Sequence, residues 1–252
     1  MMNITPIVKQ LLIVNILFFI GSNFVPVSYD FFSLYYPESE KFRVWQLITH
    51  MFMHARYPNV IHIFFNMFAL YSFGSTLEHF WGGNKLLFFY ISCGLGAALI
   101  NTAVNYYFFH DGLNILMNQG FSKAQILSVL NGKSNSGELI SILNSPDFKN
   151  FISAYFGTVV GASGAIYGLL VAFAFMFPNA ELALMFIPVP IKAKYFVPIY
   201  MLLYDGFFGI LGNSFMGIGD GVAHFAHVGG ALFGFLIMWY WKKNQFNSNR
   251  WN

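Results

Sequence analysis

Long apolar runs separated by short polar stretches cover most of the chain. Six approach the roughly 20 residues that a helix needs to cross a bilayer: about 8–27, 60–80, 85–109, 156–177, 193–212 and 222–241. Pro58 precedes the second run and Pro178 stops the fourth. The sixth ends in Trp239-Tyr240-Trp241 followed by Lys242-Lys243, an aromatic and basic edge suited to a membrane interface. Two stretches do not span. Residues 28–59 carry Tyr35-Tyr36-Pro37 and the apolar run from Trp45 to His54, which predicts a long outer loop lying in the interface. Residues 110–153 hold Ser, Asn, Gly and Lys throughout and predict a polar outer insertion, with short helices over Gln125–Leu130 and Glu138–Leu143. The plain expectation for that insertion is a solvated loop with no part in catalysis. No repeat or low-complexity linker divides the chain, so one membrane domain is expected over 1–252, an all-α bundle of six transmembrane helices.

Composition narrows the class. Of the 252 residues, 57% are hydrophobic and 9% charged, against roughly 25% charged in soluble domains. The 32 Phe and 14 Tyr suit lipid contact and the interfacial belts. Lys9, Lys85, Lys192, Lys194, Lys242, Lys243 and Arg250 fall on one side of the threading. Lys41, Arg43 and Arg56 fall on the other, beside Asp30, Glu38 and Glu40. Basic residues in short loops mark the inner face, so both termini are expected in the cytoplasm, and a bacterial plasma membrane is the expected setting. The net charge of +3 is scattered near helix ends and excludes a nucleic-acid surface. Leu11 to Val27 is interrupted by Asn15 and Ser22 and lacks a small-residue cleavage pattern, so it reads as a retained first span. The single Cys93 forms no internal disulfide.

Polar residues inside spans are expensive and mark function by default. Ser163 lies between Gly161 and Gly164, and glycines 157, 161, 164 and 168 recur at helical spacing. Alone, such a stripe reads as a packing seam whose serine bonds back to its own helix. His62 and Asn66 are four apart, on one helical face of the second run. His224 and His227 lie on the sixth. Runs two, four and six all pass from the outer face inwards, and His62, Asn66, Ser163 and His227 enter them to depths that agree within roughly 8 Å at 1.5 Å per residue. A shared polar layer follows. A serine hydroxyl becomes nucleophilic when a neighbouring base takes its proton, and His227 can be that base. His62 and Asn66 can donate to an oxyanion. Tyr167 lies one turn after Ser163 and can support an imidazole; alone it would be an ordinary packing contact.

These residues resemble the rhomboid family of intramembrane serine proteases, bacterial type with six spans. Gly161-Ala-Ser163-Gly164-Ala-Ile-Tyr167-Gly168 is similar to the family's Gly-x-Ser-Gly-x-x-Tyr-Gly. Ala226-His227-Val-Gly229-Gly230-Ala-Leu-Phe-Gly234 resembles its histidine helix, and His62-Ile-Phe-Phe-Asn66 its His-x-x-x-Asn. Gly74-Ser-Thr-Leu-Glu78 resembles its Gly-x-x-x-Glu, and Phe186-Ile-Pro188-Val-Pro190-Ile-Lys192 its proline-containing loop before the fifth span. The resemblance implies a serine endopeptidase with a Ser163–His227 dyad and no acidic third member. Its oxyanion pocket would use His62, Asn66 and the Ser163 N–H, with Gly161 and Tyr167 in support. It implies single-pass transmembrane proteins as substrates, cut near the outer end of the span, and no cofactor. The segment 213–221 would act as a cap over the site. One departure is Gln46 after Trp45, where the family often has Trp-Arg.

Other readings are weaker. His54, His62, His224 and His227 offer zinc ligands, but no His-Glu-x-x-His occurs and Ser163 would be idle; no metal is expected. An inert rhomboid-like binder of membrane proteins is the alternative function. A transporter is disfavoured by the lack of a repeat. Asp205, at a depth close to that of Ser163, stands outside the expected catalytic set; His224 is expected at the outer rim, and His54 as a structural residue of the first loop.

Overall fold

The computed structural model describes residues 3–184, 187–215 and 223–245. Helix α1 (Pro6–Phe24) opens on a proline, whose missing N–H is harmless in a first turn. The Glu78 carboxylate accepts the Ile7 and Val8 backbone N–H groups at 2.9 Å each, together with the Thr5 hydroxyl. It thereby satisfies donors that a helix start leaves open, and it opposes the helix dipole. Glu78 is buried on α2 (Val60–Trp81), in which Leu70–Gly74 is wound as a π-turn. Gly82, at φ 79°, turns the chain into α3 (Gly83–Asn118). Among the described residues, α1, α2 and α3 are long and apolar enough to cross a membrane.

The apolar run predicts an end to the third helix at 109, but α3 continues to Asn118. Phe109, at the expected end, and Leu113 and Leu116 beyond it are buried with Ile126, Leu139, Phe151 and Tyr155. Those partners come from α4 (Lys123–Leu130), α5 (Gly137–Leu143) and α6 (Lys149–Phe156). Phe109 and Phe151 stack at 5.1 Å, and a Cβ at Gly112 would lie 2.6 Å from the Phe151 ring. Ser122 and Gln125 form a reciprocal cap at the start of α4. The insertion is therefore a folded helical layer with its own core, which corrects the expectation of a solvated loop. It docks on the first outer loop: His110 and Lys123 reach Glu38, while Asn131 and Lys133 reach Glu40.

That first loop is organised by Gln46, which is fully buried. Its Oε1 accepts from the Arg43 N–H at 3.1 Å and the Tyr35 N–H at 3.4 Å, while its Nε2 donates to the Lys41 carbonyl at 3.1 Å. Trp45 donates its indole N–H to the Phe31 carbonyl, 2.9 Å away. The residue that departs from the family pattern is thus the one whose amide gathers the loop.

The fourth apolar run predicts a helix from 156. Helix α7 instead covers Ser163–Met176. Gly157 ends α6, Val159 pairs with Leu34 as an isolated antiparallel bridge, and Gly161 takes φ 121°. The glycine spacing that fits a helical stripe fits this extended turn equally well, so only Gly164 and Gly168 lie on the helix. The segment expected as a loop before the fifth helix contains two antiparallel strands, β1 (Glu181–Leu184) and β2 (Ile187–Lys192), with Glu181 opposite Lys192. Helix α8 (Ala193–Tyr200) runs on through Met201–Phe215, which is wound as a π-helix. The proposed cap at 213–221 lies, from 216 onward, outside the described residues, as does Asp220. Helix α9 (His224–Gln245) closes the described chain.

Helices α3, α7 and α9 are in close contact because glycines line their crossings. A Cβ on Gly230 would stand 1.8 Å from the Gly164 carbonyl oxygen, one on Gly234 2.7 Å from the Gly168 Cα, and one on Gly168 2.4 Å from the Cys93 sulfur. Leu70, Leu77, Phe89, Cys93 and Leu169 fill the core between α2, α3 and α7. Leu17, Phe64, Phe88, Leu99, Leu202 and Trp239 point outward and are exposed, as lipid-facing residues are and those of a soluble surface of this extent are not. The chain is a multi-pass, all-α membrane protein.

Candidate active site

Ser163 is the first residue of α7, not a residue six or seven positions into a span. The first N–H groups of a helix have no partner within it, so the serine offers a hydroxyl and a first-turn backbone N–H at one point. The turn before it is held from the first loop. The Gly161 N–H donates to the His50 carbonyl at 2.9 Å, and the Val159 and Leu34 backbones exchange two bonds.

The glycine crossing of α7 and α9 brings His227 opposite the serine. Nε2 of His227 is 2.9 Å from Ser163 Oγ. The Tyr167 ring stacks on the imidazole at 4.3 Å between centroids with 13° between planes. His227 is buried and Ser163 is half-buried.

His62, on α2, faces the same turn: a Cβ on Gly161 would lie 3.1 Å from both Cε1 and Nε2 of His62 and 3.5 Å from Ser163 Oγ. Nδ1 of His62 accepts the Ala55 backbone N–H at 3.1 Å. Asn66, one turn along, is buried and gives one amide N–H to the His62 carbonyl at 2.8 Å. An amide nitrogen has two such hydrogens, so one remains. The structure therefore brings His62, Gly161, Ser163, Tyr167 and His227 to one place, with Asn66 a turn away from His62.

Two placements differ from expectation. Asp205 on the π-wound segment is fully buried, and its Oδ1 lies 2.8 Å from Nδ1 of His227 and 2.8 Å from Nδ1 of His224. His224 is itself buried and turned to this carboxylate, not to the rim. The carboxylate's depth, close to that of Ser163, was the one signal available in the sequence; which partners awaited it on another helix was not readable. Metal-capable atoms also converge here: among the described residues, Asp205, His224 and His227 place ligand atoms within 4.8 Å of one another. That is not the set of four histidines considered from the sequence.

Two loop histidines stand behind the site. Burial pushes His50 down to about 4. Burial, and then the neighbouring His62, push His54 down to about 3. Both are neutral at neutral pH, and the His54 and His62 rings are 5.3 Å apart. An imidazole, a hydroxyl against it and donors beside the hydroxyl make an arrangement able to run acyl transfer.

Known proteins are similar to this chain in sequence. An uncharacterised mitochondrial rhomboid protein of Schizosaccharomyces pombe is 27% identical over 223 residues, covering 80% of this chain and 52% of its own. Rhomboid protein 1, mitochondrial, of Saccharomyces cerevisiae is 29% identical over 148 residues, covering 54% of this chain and 39% of its own. The chain thus spans about half or less of the length of the curated relatives it matches. Both are named as mitochondrial, in contrast to the bacterial membrane expected from the sequence. The family model for the rhomboid domain matches residues 41–244, from the first outer loop through the histidine helix, and the chain belongs to the rhomboid family.

Proposed function

We propose that this protein is an intramembrane serine endopeptidase that cuts a peptide bond in or near the transmembrane segment of single-pass membrane proteins. The observation that carries the reading is the 2.9 Å contact between Ser163 Oγ and His227 Nε2, where a serine can lose its proton to a base. Oγ attacks the scissile carbonyl carbon while His227 Nε2 takes the hydroxyl proton. The oxyanion is held by His62 Nε2–H, the second Asn66 amide hydrogen and the Ser163 N–H. Collapse breaks the C–N bond, and the leaving amine takes the proton from His227. Water, deprotonated by the same nitrogen, then attacks the acyl carbonyl; the ester C–O bond breaks, Ser163 Oγ takes the proton back from His227, and the carboxylic acid leaves. The substrate class follows from the setting, since a site between membrane helices is reached most readily by another helix in the bilayer. The basic residues at 9, 85, 192, 194, 242 and 243 support termini on the cytoplasmic side of a plasma membrane; the names of the two relatives support a mitochondrial membrane instead.

The test is cleavage of a reporter single-pass protein in liposomes by the purified protein and by its Ser163→Ala form. Cleavage that requires Ser163 supports a protease. Folded protein that binds the reporter without cutting it would favour the inert binder.

A further inference from the structure

Asp205 is the group that the expected two-residue mechanism leaves unused. A carboxylate in an apolar membrane helix is costly unless paired, yet Asp205 is 0% exposed. Its Oδ1 meets Nδ1 of His227 and Nδ1 of His224, both at 2.8 Å. We propose that Asp205 is a positioning residue that fixes the tautomer and ring orientation of His227, so that proton transfer runs through Ser163, His227 and Asp205. This rests on the reading of Ser163 and His227 as nucleophile and base.

An ionised carboxylate only accepts hydrogen bonds. A neutral imidazole that gives its Nδ1 hydrogen to Asp205 has a bare lone pair at Nε2. That nitrogen faces Ser163 Oγ at 2.9 Å. Asp205 therefore selects the one neutral form of His227 that can accept the serine proton. When it does, Ser163 Oγ bears the new bond to carbon, both imidazole nitrogens hold hydrogens, and Asp205 stays ionised beside the positive ring. Tyr167, stacked with 13° between planes, holds the ring against rotation out of this line. His224 makes the second bond to the same oxygen. It keeps the carboxylate in place when His227 changes state.

A metal ion at the same three residues would give the opposite result. Bound at Nδ1 of His227, it would leave the imidazole hydrogen on Nε2, where it could not accept from Ser163. The tautomer of His227 therefore distinguishes the two arrangements.

Nitrogen-15 NMR on histidine-labelled protein in detergent, with His227→Gln for assignment, reads the tautomer directly. A protonated Nδ1 and a bare Nε2 on His227 are expected in the unaltered protein. A hydrogen on Nε2 would overturn the proposal, and this reading does not depend on any Asp205 variant folding. Asp205→Asn, whose amide can donate to Nδ1, is expected to reverse the tautomer. It should lower kcat by about 10³–10⁴-fold with KM moving less than about threefold, and Asp205→Glu should recover at least about tenfold of that loss. Full kcat in folded Asp205→Asn, with His227→Ala inactive, would sink the role of Asp205 and leave the protease reading intact. Cleavage surviving in both Ser163→Ala and His227→Ala would defeat the protease reading itself. Activity lost to a chelator and regained with zinc would overturn the proposal in favour of a metal site at Asp205, His224 and His227.

Discussion

The backbone N–H of Ala55 donates to Nδ1 of His62 at 3.1 Å, and this contact sets the chemistry of the opposite edge of the ring. With its lone pair used at Nδ1, a neutral His62 carries its hydrogen on Nε2, the nitrogen beside Gly161 and Ser163. The first loop thus turns His62 into a donor beside Ser163, where the proposed reaction would form an oxyanion.

Removing that donor tests it. Losing one oxyanion donor typically costs about 10²–10³ in kcat, or about 3–4 kcal/mol. His62→Ala should lower kcat within that range, and Asn66→Ala should do so less where His62 remains. KM should barely move, because the interaction belongs to the transition state. Steady-state cleavage of a reporter measures both, and an unchanged kcat in the double variant would remove both residues from the pocket.

Gly161 should be intolerant of even one methyl group. Its φ of 121° disfavours any side chain, and a Cβ would press on the His62 ring at 3.1 Å. The strain is of the order of 1–3 kcal/mol, small enough for the protein to fold. Gly161→Ala should therefore keep its Tm within a few degrees while losing more than about tenfold in turnover, since a misplacement near 1 Å can cost about 10². Gly120→Ala also has a positive φ, 99°, but meets nothing within 4 Å. It should leave turnover as it is.

Glu78 should matter for stability and not for chemistry. Its carboxylate receives the Ile7 and Val8 N–H groups and the Thr5 hydroxyl far from Ser163 in the chain. Glu78→Ala leaves those donors without their acceptor, at about 1–3 kcal/mol for each group that stays buried. Thermal unfolding in detergent should show a clear fall in Tm, while turnover per folded molecule is retained. A stable Glu78→Ala protein with lost turnover would contradict this division.

Acid should loosen the first loop. His50 is held neutral by burial, down to about 4 from an ordinary 6.5. Between those values the unfolded chain binds a proton that the folded one refuses, so stability present above pH 6.5 is lost as pH falls towards 4. His54 adds to the same slope. Tm measured across this window should fall with pH, and His50→Gln should flatten the fall.

Much of this arrangement is legible in the chain. Ser163, His227 and His62 stand out because polar groups in apolar runs are few and enter from the same face. The helix ends are less legible. Gly157 and Gly161 suit a helical stripe and an extended turn alike, and the choice is made by Leu34 and His50, over a hundred residues earlier. The extension of α3 to Asn118 was hidden because its apolar face, Phe109, Leu113 and Leu116, is covered by the insertion and not by lipid. Asp205 was visible as a buried charge, but its pairing with His224 and His227 joins two helices whose rotation no local pattern specifies, least of all where the backbone is π-wound.

The most direct measurement is the rate at which a fluorophosphonate labels Ser163 in detergent-solubilised protein. An unassisted hydroxyl such as that of Ser22 or Ser72 stays unlabelled, whereas one whose proton passes to a neighbouring base reacts. Labelling should fall on Ser163, persist in chelator, and drop by about 10³-fold or more in folded His227→Ala. Labelling of Ser163 at an undiminished rate without His227, or no labelling of Ser163 in folded protein, would contradict activation of this serine by this histidine.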